Sequence, residues 1–323
     1  MLKAKIAGLT FTLLMISACL VLAQYKYGSI ELNFNNKGIV TVSYENMVLV
    51  TGGFNTWGPT WDWEDACSYQ NNWAALQYRL GDVEGEFNGA FQCGFAKASW
   101  WERAWIGLNA VLIELNITAT QESSFSGMAW DYDIPVGLFK GMNVTMLFAN
   151  GSSVNVRLRE ERVPGEWVII LQPGTIGWIV PFDEKTGVVL AVFGDAWPTG
   201  MDAQIEDERE WGGSVYALRS WLFFDFTMSE GQMLRILAYI QPYTTPEEQE
   251  AATLKVTETA KRLASGYDVG LIKEQLIKDM HIEEAAELRR AQGPPLMLIA
   301  YIAVAIVGAL ALLFFLLRSR KHS

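Results

Sequence analysis

The chain has 323 residues, with 25 Lys and Arg against 36 Asp and Glu and a formal net charge of −11. That balance excludes nucleic acid as a partner, because displacing counterions from a phosphate backbone takes clustered Lys and Arg. The two histidines, His281 and His322, both lie beyond Thr245, which removes imidazole-based nucleophile systems and His-ligated catalytic zinc from everything before it.

In chain order, Lys3 and Lys5 precede an apolar run from Ile6 to Leu22, the layout of a cleaved signal peptide over residues 1–23. Residues 24–245 hold all 13 Trp and carry 26 Asp and Glu against 13 Lys and Arg, a net of −13. A stretch of this size supports one large core. Short β-branched and aromatic runs between Gly, Asn, Asp and Pro predict strands over Ser29–Phe34, Ile39–Tyr44, Met47–Thr51, Ala75–Leu80, Phe87–Phe95 and Asn109–Thr118. Three hairpins are predicted after them. Asn143–Ala149 and Ser152–Arg159 flank Asn150-Gly151, expected as a type I′ turn with both residues at positive φ. Ile176–Phe182 faces Gly187–Phe193, and Arg219–Thr227 faces Gln232–Gln241. No helix-length amphipathic run separates them, so the expected fold class is mainly β, a large antiparallel β-sandwich as an extracytoplasmic domain. Residues 52–73 read as a long loop. Cys67 lies inside it and is expected to form a disulfide with Cys93, the one other thiol left once Cys19 departs with the leader.

Past the sandwich, Thr245-Pro246-Glu247-Glu248 supplies an N-cap, a proline at the first helical position and a capping box. The helix it opens should stop at Ser265-Gly266. Asp268 caps a second helix with Val269, Ile272, Leu276 and Met280 on one face, and a third stretch runs over Ile282–Gln292. Residues 246–295 are therefore expected to be a short α-helical juxtamembrane stalk, ended by Gly293-Pro294-Pro295. Leu296–Leu317 is an uncharged run of 22 residues, about 33 Å as a helix and enough for one C-terminal transmembrane helix. Arg318, Arg320 and Lys321 keep the tail, 318–323, cytoplasmic. The expected location is the plasma membrane, single-pass, with the N-terminal domain outside. The lipid bilayer is then a partner, and the stalk or the Ala305/Ala309 face of the span offers self-association.

The candidate ligand-binding residues are alternating Trp and acids: Trp57, Trp61, Asp62 and Trp63, then Trp130, Asp131 and Asp133, then Trp197. Indole faces stack on the C–H faces of sugar rings while carboxylates accept from hydroxyls; packing around the disulfide is the competing reading of the first group. The expected function is a binding or structural role at the cell surface towards a glycan or a partner protein. One alternative is a carboxylate-based carbohydrate-active enzyme, a glycosidase or lyase, because Asp131 with Asp133, or Asp62 with Glu64, supplies paired carboxyls. A second alternative is a scaffold or coat component without a small ligand. No catalytic residue, metal or cofactor is assigned. The acidic run Glu206–Glu210 reads as a solvated loop, lacking the ligand spacing of a calcium loop. Asn116, Asn143 and Asn150 open sequons and are glycosylation candidates, Asn150 at an exposed hairpin tip.

Overall fold

The computed structural model describes residues 24–27, 29–35, 37–62, 66–68, 75–81, 83–195 and 202–292. The candidate leader, Trp63, Trp197, the apolar run Leu296–Leu317 and the tail lie outside the described residues. Among the described residues no helix is long and apolar enough to cross a membrane. The chain divides into a unit of Leu22–Ile282 and a second unit of Met1–Val21 with Glu283–Ser323.

The β structure is a sandwich of two antiparallel sheets. β1 (Gln24–Tyr27), β2 (Ile30–Phe34), β3 (Val40–Tyr44) and β4 (Met47–Trp57) form a meander in sheet A, and short β5 (Ala66–Ser68) pairs with the end of β4. β6 (Ala75–Leu80), β7 (Glu84–Cys93), β8 (Ala96–Ile106) and β9 (Val111–Ala119) form a meander in sheet B. β10 (Ser123–Pro135) returns to sheet A, followed by a helical turn, α1 (Val136–Phe139). β11 (Asn143–Phe148) and β12 (Ser153–Arg157) belong to B, β13 (Val168–Pro173) to A, and β14 (Thr175–Pro181) and β15 (Gly187–Gly194) to B. β16 (Asp202–Asp207) and β17 (Val215–Met228) complete A, and β18 (Met233–Tyr243) completes B. Sheet A runs β1-β2-β3-β4-β10-β17-β16-β13, and sheet B runs β12-β11-β14-β15-β18-β9-β8-β7-β6.

Period-two alternation builds the core. In β7 Gly85, Phe87, Gly89, Phe91 and Cys93 are buried while their neighbours are more open, as a half-buried strand requires. Ile30, Val42, Phe54 and Trp130 from sheet A meet Phe87, Leu115, Trp178 and Ile236 from sheet B in one cluster. The outer face of sheet B is apolar as well. Leu112, Val189, Ala191 and Tyr239 are covered there by Ala252, Val256 and Ala260 of α2 (Pro246–Ala264) and Ile272 and Leu276 of α3 (Val269–Asp279). Both helices begin as the sequence implies: Thr245 Oγ1 accepts from Glu248 N at 3.2 Å, and Asp268 Oδ1 accepts from Gly270 N at 2.7 Å. A last helix, α4, spans Ile282–Gln292.

Three expectations change. The predicted hairpin of Arg219–Thr227 with Gln232–Gln241 does not exist: β17 pairs with β10 and β16, while β18 pairs with β15 and β9. Both strands carry a strong apolar pattern, and alternation alone does not say which sheet a strand joins. The β11–β12 hairpin stands, but with positive φ at Gly151 and not at Asn150; Gly151 N donates to Phe148 O and Phe148 N to Ser152 O, a longer loop closed by a left-handed glycine. The loop expected from residue 52 begins instead as strand, because β4 continues through Trp57. Cys67 and Cys93 are bonded, with Cα atoms 5.6 Å apart, tying β5 of sheet A to β7 of sheet B.

Candidate functional site

Opposed residues of antiparallel strands share a face, so the register shows which side chains meet. In sheet A, Asp131 stands between Gly53 and Arg219, and Arg219 is followed by Gln204. One row along, Asp133, Ala217 and Glu206 align; one row back, Asn55, Ala129 and Trp221 align. The alternate residues Phe54, Trp130, Tyr132, Leu218 and Ile205 enter the core. The outer face of sheet A thus carries a polar cluster drawn from four adjacent strands, with glycine and alanine between the large side chains.

Arg219 is its hub. Its Nε donates to Asp131 Oδ1 at 2.9 Å, its Nη2 to Asp131 Oδ2 at 2.8 Å and to Glu208 Oε1 at 3.5 Å, and its Nη1 to Glu206 Oε1 at 2.5 Å. Asn55 Nδ2 donates to Asp131 and Gln204 Nε2 to Glu206. The guanidinium also lies over two indoles, 5.1 Å from the Trp57 ring centre and 5.2 Å from that of Trp221, a favourable setting for a planar cation. Trp61 completes the platform, 5.5 Å from Trp57 and 5.7 Å from Trp221. Gly127 permits this packing: a Cβ there would come within 2.6 Å of Trp61 and 2.8 Å of Trp221.

Three carboxyl groups around one cation leave an excess of negative charge in a site from which water is largely excluded. The response is proton retention. Burial pushes Glu206 up to about 8, with Arg219 pulling it back and the charges of Asp131 and Glu208 adding to the rise. Glu208 is raised too, first by burial, against Arg219 and with Asp131; the two glutamates share a hydrogen bond. Arg219 itself is held well above its ordinary range: burial opposes the cation, but Asp131 and Glu206 outweigh it. Glu206 is buried, whereas the Glu208 side chain is 18% exposed. A buried acid that retains its proton, beside a partly exposed one on the same arginine, is suited to proton transfer with a bound hydroxyl or glycosidic oxygen.

The structure brings together Trp57, Trp61, Asp131 and Asp133 of the sequence-predicted residues. Asp62 is exposed beside the platform. Trp130 is corrected: it is 1% exposed and packs between the sheets, because the alternation that turns Asp131 and Asp133 outward turns Trp130 inward. Packing on the disulfide does not account for Trp57, since Cys67 opposes Thr56 and shares its inner face, while Trp57 opposes Ala66. The reading of Glu206–Glu210 as a solvated loop is also corrected: Glu206 and Asp207 end a strand and are buried. Sequence reasoning missed Asn55, Gln204, Glu206, Glu208, Arg219 and Trp221. The signal for them was alternation, with Gln204 and Glu206 against Ala203 and Ile205, and Arg219 and Trp221 against Leu218 and Leu222. Asn143 and Asn150 are exposed, whereas Asn116 is half-buried in β9 between Trp101 and Arg235.

No family model matches the chain, and no curated protein matches it. Among solved structures it is similar to a putative aldose 1-epimerase from Escherichia coli K12, at 11% identity over 68% of this chain and 98% of the other, TM-score 0.47. It is also similar to a galactose mutarotase-like protein from Lactobacillus casei, at 8% identity over 68% and 99%, TM-score 0.48. A third is an α-N-acetylgalactosaminidase from Bifidobacterium bifidum, at 12% identity over 76% of this chain and 39% of the other, TM-score 0.45. The expected binding or structural role is corrected by these findings. In this chain Asp131 of β10 and Glu206 of β16 meet from separate strands at Arg219, whose guanidinium lies over Trp57 and Trp221.

Proposed function

We propose that the outer face of sheet A is the active site of a carboxylate-based carbohydrate-active enzyme. The observation that carries this reading is the meeting of buried Glu206 and the more exposed Glu208 on Arg219, whose guanidinium lies over Trp57 and Trp221. In this reading Glu208 is the carboxyl that meets the substrate oxygen, and Glu206 is a positioning residue that shares a proton with it. Asp131 holds Arg219 in place, and Asp133 is the second carboxyl of the acid/base pair. The indoles receive the apolar face of a sugar ring. The test is turnover by the full chain of a panel of oligosaccharides and aryl glycosides, followed both by release of reducing ends and by exchange of anomers in NMR spectra. Activity that is lost in Glu208→Gln and in Glu206→Gln supports the assignment; absence of both reactions across the panel overturns it.

The same proposal places the domain outside the cell on a helical juxtamembrane segment and one C-terminal transmembrane helix at Leu296–Leu317. Its support is the length of the apolar run, the basic residues after it, and a disulfide of the kind that persists in oxidising compartments. Protease added to intact cells should remove the sandwich and leave a membrane-embedded stub; full protection of the domain would refute this placement.

A further inference from the structure

The carboxyl cluster is rich in acceptors, and its own donors are already engaged. Arg219 gives Nε to Asp131, Nη1 to Glu206, and Nη2 to Asp131 and Glu208. Asn55 Nδ2 is committed to Asp131 and Gln204 Nε2 to Glu206. Trp221 Nε1 is a buried donor without a partner among the described residues, and Asn55 Oδ1 is a buried acceptor without one. Asn55 is 6% exposed, and the bond to Asp131 aims its amide into the cluster. Carboxylates only accept, so a ligand that fits this inventory brings donors.

Charge points the same way. Among the described residues, every ion pair of Asp131, Glu206 and Glu208 is made with Arg219. With Glu206 holding its proton, Asp131 and Glu208 still outnumber the one guanidinium, and the charge of Asp133 acts on Glu208 as well. A cation is attracted strongly where water is scarce, whereas a uronate or sugar phosphate is repelled.

The aromatic rings of the site also suit a cation. Trp57 and Trp221 already hold one, the Arg219 guanidinium, 5.1 Å and 5.2 Å from their ring centres. Their platform continues to Trp61 and to Phe224, whose ring lies 4.8 Å from that of Trp221. Trp61 is 50% and Phe224 44% exposed, so these two rings are open to a ligand. Such faces receive the C–H side of a sugar ring and attract an ammonium group.

We propose that the site takes a glycan with free amino groups, hexosamine units without an N-acetyl cap, with a sugar ring on Trp61 and Phe224 and its ammonium supplying the donors and positive charge that the carboxyl cluster lacks. The proposal rests on the catalytic reading of the cluster and names its substrate class.

The experiment is calorimetric titration of the full-length Glu206→Gln protein, whose amide copies the protonated acid, with matched oligosaccharides of glucosamine and of N-acetylglucosamine and with a uronate series. The free-amine series should bind about tenfold tighter than the acetylated one. Raising salt from about 0.01 M to about 1 M shortens the Debye length from about 30 Å to about 3 Å and should remove most of that preference. Asp133→Asn, added to the same protein, should cut the preference too, with binding of the acetylated series reporting that the fold is intact. Trp61→Ala should weaken both series alike. Equal affinity for the two series, binding of neither, tighter binding of uronates, or a preference that neither salt nor Asp133→Asn reduces would each overturn the proposal. Turnover by the unmutated chain is scored separately. An amine preference without any reaction would sink the catalytic reading and leave amine recognition standing, whereas turnover of neutral sugars without an amine preference would do the reverse.

Discussion

Arg219 and Asp131 form a two-pronged ion pair across β17 and β10, Nε to Oδ1 at 2.9 Å and Nη2 to Oδ2 at 2.8 Å, with side chains 9% and 1% exposed. They are direct neighbours in the ladder, so backbone register holds the pair in place. Removing the cation should be costly, because Asp131, Glu206 and Glu208 would be left around an empty centre. Arg219→Met should lose about 3–5 kcal/mol in urea unfolding at neutral pH. Adding Asp131→Leu should recover part of that loss by removing one of the stranded carboxylates. A single-variant loss of under about 1 kcal/mol, the range of exposed pairs, would mean that the cluster is far wetter than its packing indicates.

Much of this architecture is legible in alternation and turn chemistry. Ala75–Leu80 matches its strand at both ends, and Thr245 and Asp268 are the N-caps observed. The carboxyl cluster was not legible, for a physical reason. Asp131, Glu206 and Arg219 meet through pairing among β10, β17 and β16, and long-range partners leave no mark in local sequence. The acidic run at 206–210 looks solvated because its counter-charge, Arg219, lies on the next strand. Trp130 misled in the opposite way. Its composition fitted a ligand loop, yet strand parity sends it into the core while its two acidic neighbours face outward.

Glu206 gives the cluster a pH signature. In the fold it keeps its proton up to about pH 8, whereas unfolded it releases it near its ordinary 4.5. Between those values the folded chain binds more protons than the unfolded one, so this group's contribution to stability falls as pH rises and levels off above about 8. Glu206→Gln has no proton to lose and should flatten that part of the stability curve. Catalysis should weaken on the same alkaline side, as the shared proton leaves. Equilibrium unfolding and kcat/KM, each followed from pH 5 to pH 9, test the two statements; an unchanged stability slope in the variant would refute the assignment.

Glu102 is a buried acid with no part in that cluster. It opposes Phe87 and Leu115 on the inner face of sheet B, and its Oε1 accepts no hydrogen bond from the described residues. Burial raises its pKa well above the ordinary value. The group packs against Gly38, where φ is +81° and a Cβ would come within 2.5 Å of Oε1. Glu102→Met should therefore stabilise the fold by about 1–3 kcal/mol by removing an unsatisfied polar group, with the larger gain at alkaline pH. Gly38→Ala should destabilise it. Thermal unfolding at pH 6 and pH 9 separates this site from Glu206, because each single variant removes its own share of the slope.

The Cys67–Cys93 bridge connects stability to the candidate site. Cys67 opposes Thr56 where β5 lies along the end of β4, the stretch that also carries Asn55 and Trp57, while Cys93 ends β7 in the other sheet. With the cysteines 26 positions apart in sequence, Cys67→Ser/Cys93→Ser should lose about 3 kcal/mol through the added freedom of the unfolded chain. The effect on the native state should be local. Short β5 is no longer anchored to sheet B, so the end of β4 loses the support of that pairing, and Trp57 should sit less firmly over Arg219. The expected readout is a shift of tryptophan emission and a raised KM with kcat largely retained, since Asp131 and Glu206 belong to strands, and Glu208 to a turn, that the bridge does not touch. A double-serine variant with unchanged unfolding and unchanged emission would show that β4 holds its end without the bridge.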